Sequence, residues 1–525
     1  MKTSNFLEII KAVGLSFICS SNLFARNMTV KPKRPNIILI FLDDMGYSDI
    51  GCYGSEISTP NIDRMAEKGI RFTQFYNASK CEPSRAAILS GLYHQEAGMG
   101  EKHGITRGIT IGQAMQAAGY RTMAVGKWHV KGSPEERGFD RAFGHLSGAT
   151  DYFCGDKTFH LDGKPYQVPD NNFYLTNANT DFAMQFIEEE TAAHPDKPFF
   201  LYLAYNAPHA PLQVLPQDAE KYKNTYLKGW DYIRKERFRR QQEMGIIKKE
   251  WKLSLRPEES IPAWDTLTKE EQQWENDRMA VYAGMMDNVD QNVGRLTTKL
   301  EDMNIDKNTL ILFLSDNGAS PFDRFRRGTL GKTKSHFNHG LGWANACNTP
   351  FRWYKTNQHA GGIATPLIAQ WPDGIKEPGS MTDQPGHIVD FFATFIDLAG
   401  WTYPEKFDNE PIPELAGKSL LPILKGKKRQ PHDNLYFQLH NHAAIISDNW
   451  KLVSVYSSKW ELYNLEKDRT ETNNLVKEHP AIASQLENKL MKWLDKYPSS
   501  KPEDKKEPAT YIRPFEKIVK KTKNK

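Results

Sequence analysis

Cysteine is scarce in this chain: five in 525 residues. That is too few, over too great a length, for a disulfide framework, and no C-x-x-C pair offers a zinc or redox motif. Long apolar runs are also missing. None approaches the roughly 20 residues a spanning helix needs, so stable membrane insertion is not expected. Excess charge is absent too, with 69 Lys and Arg against 64 Asp and Glu. Part of the small positive surplus lies in the Lys-rich tail from Lys501 to Lys525, which reads as a solvated end, and no nucleic-acid partner is expected. No internal repeat is visible. The remaining composition, 39% hydrophobic and 25% charged, is that of an ordinary globular protein. The length calls for one large domain and a smaller one.

The N-terminus reads as a targeting segment. Lys2 and Lys11 precede an apolar stretch from Ala12 to Cys19, and small residues follow up to Ala25. Residues 1–25 are therefore expected to be a signal peptide and the protein to be exported, periplasmic or secreted. Its removal leaves Cys52, Cys81, Cys154 and Cys347.

Two strands set the plan of the rest. Asn36–Leu42 and Thr309–Leu314 are continuous apolar runs, as expected of strands buried on both faces of an α/β sheet. The first empties into Asp43-Asp44-Met-Gly46 and the second into Ser315-Asp316-Asn317-Gly318. Open α/β sheets bind ligands beyond the carboxyl ends of their strands. Side by side, the two ends would present Asp43, Asp44, Asp316 and Asn317, an all-oxygen set suited to a hard cation. Without a cation the carboxylates would repel one another; each end taken alone could equally be a solvated turn.

A third stretch, Cys81-Glu-Pro-Ser-Arg85-Ala-Ala-Ile-Leu-Ser-Gly91, reads as a loop running into a helix. Pro83 suits the first turn and Gly91 the stop. Cys81 is thus placed just ahead of a helix N-terminus, where free N–H groups favour an anion, with Arg85 one turn on. A strand Arg71–Tyr76 delivers the chain to it, and a strand Arg121–Val125 exits into Gly126-Lys127-Trp-His129. Lys127 and His129 are two apart and share a face if extended, a possible anion clamp. The strand Phe199–Tyr205 ends in Asn206-Ala-Pro208-His209-Ala-Pro211, where two prolines restrict His209.

The segment 216–274 reads as an insertion over the core, with a charged helix from Asp231 to Gly245. Residues 276–303 carry the clearest helical stripe, Met279, Tyr282, Met286, Val289, Val293, Leu296 and Leu300, and this is core packing. A long loop, 319–348, holds Arg324, Arg326, Arg327, Lys332, Lys334, His336 and His339; it reads either as a contact for an anionic sugar or as a solvated basic rim. Lys355 follows between aromatics. A helix over 388–399 closes the large domain, 425–432 reads as a linker, and short strands over 434–463 with a helix over 480–493 form a second unit.

The Cys81–Gly91 string resembles the C-x-P-S-R-x-x-x-L-S/T-G signature of the type I sulfatases of the alkaline phosphatase superfamily, and the chain looks like their arylsulfatase branch. The Leu42-Asp-Asp-Met-Gly, Gly126-Lys-Trp-His and Ser315-Asp-Asn-Gly elements are similar to that family's and in its order, as are Gly229-Trp-Asp, Gly342-Trp-Ala and Trp450-Lys-Leu. The resemblance implies a large mixed, mostly parallel α/β sheet flanked by helices over 34–424, a C-terminal α+β subdomain with an antiparallel sheet over 433–496, and a basic tail over 497–525. It implies hydrolysis of sulfate monoesters of an aryl compound or a sulfated carbohydrate. Cys81, oxidised by a sulfatase-maturing enzyme to formylglycine (3-oxoalanine), would be the nucleophile and would join Asp43, Asp44, Asp316 and Asn317 in binding Ca²⁺ rather than Mg²⁺. Arg85 would steady the modified residue, Lys127 and Lys355 would neutralise sulfate, His129 would accept a proton, and His209 would bind substrate and protonate the leaving oxygen. Cys81 must then be a free thiol before modification, which leaves at most one bridge among Cys52, Cys154 and Cys347. One departure is Ala360, where the family often has Glu before Gly-Gly-Ile. A phosphatase or phosphonate monoester hydrolase on the same fold, and a non-catalytic glycan-binding protein, are the alternative readings.

Overall fold

The apolar run after Asn36 forms strand β1 (Asn36–Asp43), and its side chains alternate between two cores. Ile38, Ile40 and Leu42 enter one cluster, while Ile37, Leu39 and Phe41 enter the other. Such a strand must lie inside a sheet covered on both faces. In the computed structural model, which describes residues 34–99, 104–169, 171–323, 326–454 and 460–497, it does. The expected signal peptide, the tail beyond Tyr497 and Arg324 lie outside the described residues.

The main sheet has ten strands. With β2 (Ile70–Phe72), β3 (Arg121–Lys127), β4 (Arg141–His145), β5 (Phe159–Leu161), β6 (Lys164–Pro165), β7 (Phe199–Pro208), β8 (Thr309–Ser315), β9 (Leu367–Gln370) and β10 (Ser380–Thr382), the order is β10-β2-β9-β8-β1-β7-β3-β4-β5-β6. The centre, β8-β1-β7-β3-β4, is parallel, and β9, β5 and β6 bring in antiparallel pairings. This is the mixed, mostly parallel sheet expected. Registers Leu42↔Ser315 and Asp43↔Pro208 bring three carboxyl ends level, and Gly126↔Ala204 adds the end of β3.

Helices cover both faces. The one that bears on the site, α1 (Cys81–Ser90), starts at Cys81 itself with Lys80 as its N-cap, and Gly91 ends it in the left-handed region at φ 68°. The apolar stripe lies on α4 (Lys269–Asp302), which follows α2 (Leu175–Ala193) and α3 (Gly229–Glu243) in the chain. Seven residues of α4 precede the expected start, because Thr268 and Glu271 form a capping box ahead of the stripe. In the segment before it, Trp230 and Trp264 pack edge-to-face, 4.9 Å between ring centroids, against Trp343 of α5 (Leu341–Cys347). That short helix shortens the loop expected over 319–348. The strand expected over Arg71–Tyr76 is broken at Thr73-Gln74, and Phe75–Tyr76 pairs separately with Gly386–His387. The helix α6 (Asp390–Ala399) packs on the opposite side.

The C-terminal antiparallel sheet, β11 (Leu435–Leu439), β12 (His442–Ser447), β13 (Trp450–Ser454) and β14 (Glu461–Asn464), runs in sequence order. Phe437, Ala444, Ile446, Val453 and Tyr463 join a main core, whereas Ala443, Ile445, Leu452 and Leu462 pack on Leu486, Leu490 and Trp493 of α7 (Pro480–Leu494). The described residues from Pro35 onward form one compact unit. No described helix is long and apolar enough to cross a membrane.

Candidate active site

The central parallel strands deliver Asp43, Lys127, His209 and Asp316 to one end of the sheet. Asp44 adopts a left-handed backbone, φ 68°, which turns the chain sharply after β1 and directs both carboxylates to one place. Ser84 of α1 ties the helix start to the end of β8: its hydroxyl donates to the Asp316 carbonyl at 2.6 Å and accepts from Ala78 N–H at 3.0 Å. Cys81 is thereby buried, 4% exposed, beside these strand ends.

Three carboxylates meet three cations. Lys127 Nζ pairs with Asp43 Oδ2, Lys355 Nζ with Asp44 Oδ1 at 2.5 Å, and Arg85 with Asp316 Oδ2 at 3.2 Å. Arg85 also donates to the Lys127 carbonyl at 2.8 Å and to the Tyr202 hydroxyl at 3.3 Å. All six groups are almost fully buried, so each pair must be matched or the isolated charge would be prohibitive. Burial pushes the Asp43 carboxyl up, but His209, Lys127, Lys355 and Arg85 together hold it well below the carboxylate range. Asp316 goes the other way, raised by burial and then by the Asp43 charge. The expected mutual repulsion of the carboxylates is thus present, and it falls on Asp316.

Several oxygens in this network lack a partner. Asp43 Oδ1, Asp44 Oδ2 and Asn317 Oδ1 are buried and unbonded, while Asn317 Nδ2 donates to Asp44 Oδ1 at 2.6 Å and so turns its oxygen free. Buried acceptors left open in this way are costly, and a hard cation bound by oxygens satisfies them. The donor set therefore fits a Ca²⁺-type ion. Asp43, Asp44 and His209 form a potential ligand group, with donor atoms within 4.8 Å of one another. Asp316 lies in the same network with both oxygens engaged, one by Arg85 and the other by Asp44 N–H at 3.3 Å. Cys81 lies in the same network, near Arg85 and Lys355.

His209 sits one residue beyond β7, its side chain 18% exposed, with Nε2 3.5 Å from Asp44 Oδ2 and Nδ1 2.5 Å from the Ala210 carbonyl. His129 is not in an extended segment with Lys127. Its φ of 53° reverses the chain after β3, so the shared face expected from their spacing does not exist. The ring nonetheless faces the site's charges. Burial, then Lys127 and Arg85, depress it to about 2, leaving a neutral imidazole. Lys355 is carried by a segment gripped from the C-terminal sheet. Arg352 donates to Tyr463 (2.8 Å) and to the Glu471 carbonyl (3.1 Å), and the Glu471 carboxylate accepts Ala360 N–H at 3.0 and 3.2 Å and pairs with Lys451. A carboxylate thus reaches Ala360 from the far end of the chain.

Spacing and composition missed several neighbours. Tyr202, Asn206, His145 and Tyr152 all border the site, and Asn206 and His145 carry buried polar atoms without partners. Ser84 stood inside the Cys81 string and could have been read from it. The others lie within apolar strands or unremarkable loops and carry no local signal. Cys52, Cys81, Cys154 and Cys347 are all free, so the one bridge that remained possible is absent among the described residues.

This is an α/β hydrolytic architecture: a parallel sheet whose strand ends hold buried acids, cations and histidines around one point. The family model Sulfatase matches residues 35–401, and N-sulphoglucosamine sulphohydrolase, C-terminal, matches 351–496. An arylsulfatase of Klebsiella aerogenes is 33% identical over 461 residues, 80% of this chain and 97% of that one. The crystal structure of Ps i-CgsB in complex with k-i-k-neocarrahexaose superposes with TM-score 0.65 at 27% identity, covering 94% of this chain and 98% of that one. A structure solved with its substrate D-glucosamine-2-N,6-O-disulfate gives 0.64 at 27%, over 90% and 100%. The chain belongs to the sulfatase family and is a sulfuric ester hydrolase.

Proposed function

We propose that this enzyme hydrolyses sulfate monoesters of a carbohydrate, using a formylglycine made from Cys81 and a Ca²⁺ ion, after export from the cytoplasm. The observation that carries the reading is the ring of buried, mutually paired carboxylates and cations around Cys81, with carboxylate and amide oxygens left open. The neocarrahexaose and the glucosamine disulfate bound by two structural relatives support the substrate class.

A sulfate monoester carries one negative charge, which spreads over its oxygens as the S–O bond breaks. Groups already fixed in place stabilise that charge without reorganising. Asp43 and Asp44 hold Lys127 and Lys355 in place, so their fixed charge would meet the sulfate oxygens without reorganisation. Asp43, Asp44, Asp316 and Asn317 would hold the Ca²⁺, which would add positive charge to the site. Formylglycine at Cys81 would supply a hydrated aldehyde, whose hydroxyl would be the nucleophile. His129 would accept the hydroxyl proton: its Nδ1 is without a partner, and the anionic substrate would oppose the burial and the Lys127 and Arg85 charges that depress its basicity. His209, partly exposed like His129, would hand a proton to the leaving oxygen. Burial depresses its pKa and the nearby carboxylates raise it; the anionic substrate works in the same direction as the carboxylates.

Matured enzyme should release sulfate from p-nitrophenyl sulfate with kcat/KM at least a hundredfold above release of phosphate from p-nitrophenyl phosphate. A reversed preference would favour the phosphatase or phosphonate hydrolase reading, and no turnover of either ester would favour the non-catalytic one.

A further inference from the structure

We infer that the basic hairpin over residues 327–336 is a docking surface for the anionic sugar chain that continues from the leaving-group side of the scissile ester. This rests on the sulfatase reading and gives the substrate's extent and charge. Arg327 and His336 pair across the hairpin base, with His336 N–H donating to the Arg327 carbonyl at 2.8 Å. The turn is stitched to the segment that follows His209. Gly331 N–H donates to the Leu212 carbonyl at 3.2 Å, Val214 N–H to the Gly331 carbonyl at 3.1 Å, and Leu212 N–H to the Phe337 carbonyl at 3.0 Å.

Asp151 locks the two segments together. Its Oδ2 accepts Lys334 N–H at 2.6 Å and the Gln213 amide at 2.7 Å, and its Oδ1 accepts the Thr333 hydroxyl at 3.2 Å and Phe153 N–H at 2.9 Å. The next residue, Tyr152, donates its N–H to Gln213 Oε1 at 2.7 Å and its hydroxyl to the His209 carbonyl at 2.8 Å. One short chain of hydrogen bonds therefore joins the hairpin tip to the histidine placed at the leaving oxygen. Lys334 is fixed in the left-handed region, φ 58°, so the tip has a defined course.

The loop sorts its cations. Arg326, at the base, is neutralised by Asp323 at 2.6 Å, which also takes Arg278 at 3.1 Å. Arg327, Lys332, Lys334 and His336 are exposed, and among the described residues none has a carboxylate partner. Unpaired cations anchored beside the leaving-group histidine match a polyanion extending outward from the cleaved ester, and such rim charges act on encounter and on KM. A neutral aglycone would gain nothing from them.

The test compares wild type with Arg327→Gln/Lys332→Gln/Lys334→Gln, in which only exposed side chains change. On p-nitrophenyl sulfate both should agree within about twofold. On sulfated carrageenan and heparin hexasaccharides, the triple variant should lose roughly tenfold in kcat/KM at low salt, a difference that shrinks as salt shortens the screening length. Binding to the full-length Cys81→Ala protein, with and without the triple change, reads the same effect without turnover. Cys154, the exposed thiol near Thr333, should be protected from maleimide by a bound hexasaccharide. The inference is overturned if the triple variant binds every hexasaccharide as well as the parent, if aryl and oligosaccharide activities fall together, or if duplex DNA competes as strongly as the glycans. Loss of p-nitrophenyl sulfate turnover in wild type would instead strike the sulfatase reading, and the binding arm would still decide the hairpin.

Discussion

Replacing Glu471 by Gln should destabilise the protein by about 4 kcal/mol and slow catalysis at a site it does not touch. Glu471 and Lys451 are 0% and 1% exposed and 2.5 Å apart. Gln can still accept Ala360 N–H, so the hydrogen bond survives and the charge does not. Lys451 is then left as a buried ammonium without its partner, a loss of about 3–5 kcal/mol in comparable pairs. Burial already pushes the Lys451 pKa down, and Glu471 is the strongest influence raising it. In the variant the lysine should therefore shed its proton in the folded state. A lysine whose folded pKa lies below its unfolded one binds fewer protons when folded, so the variant's stability should climb with pH and its deficit narrow by pH 9. Ala360 opens the turn Ala360–Ile363, five residues after Lys355, so a loosened clamp should also misplace that ammonium. A shift near 1 Å can cost about a hundredfold in rate. Urea unfolding followed by tryptophan fluorescence, with kcat on an aryl sulfate, measures both effects. Lys451→Met combined with Glu471→Gln should recover at least half of the lost stability. A single-variant loss below about 1 kcal/mol would refute the reasoning, since an exposed pair costs no more.

Asp316→Ala removes a carboxylate raised by burial and by Asp43 and frees Arg85, so bound calcium, measured by atomic absorption, and activity should be lost together; retained calcium would count against the ligand set. His387 is buried and His94 half-buried, and burial depresses both to about 3, well under their unfolded value, so the folded state binds fewer protons and stability should fall as pH drops below about 6.5. At pH 5 each should contribute a loss of roughly 2 kcal/mol, and a flat stability curve between pH 7 and 5 would sink that assignment. Native protein should react with a thiol reagent at Cys154, and Cys52 and Cys347 only after denaturation; rapid native labelling of all three would contradict the packing.

The strands of the central sheet were legible because burial on both faces leaves an uninterrupted apolar run, as at Asn36–Leu42 and Thr309–Leu314. Their acidic exits were legible for the same reason: a charge that follows such a run stands out. What spacing alone could not provide was backbone reversal. His129 and Asp44 take left-handed conformations without glycine, held by tertiary packing that no local pattern records. The Glu471 clamp and the Asp151 lock join residues 111 and 183 positions apart. Each is polar in a polar stretch, so sequence offers nothing to distinguish it from a surface residue. The basic loop was visible as composition only; which cations are paired and which stand free needed the fold.

The central claim is that Cys81 is a precursor and the working group is the aldehyde made from it. Mass spectrometry of the peptide spanning Cys81, taken from protein coexpressed with a formylglycine-generating enzyme, tests it directly, with sulfate release from an aryl sulfate assayed on the same sample. Conversion of CH2SH to CHO at Cys81, with activity proportional to the converted fraction, is the predicted result. Full activity in protein whose Cys81 remains a thiol would contradict it.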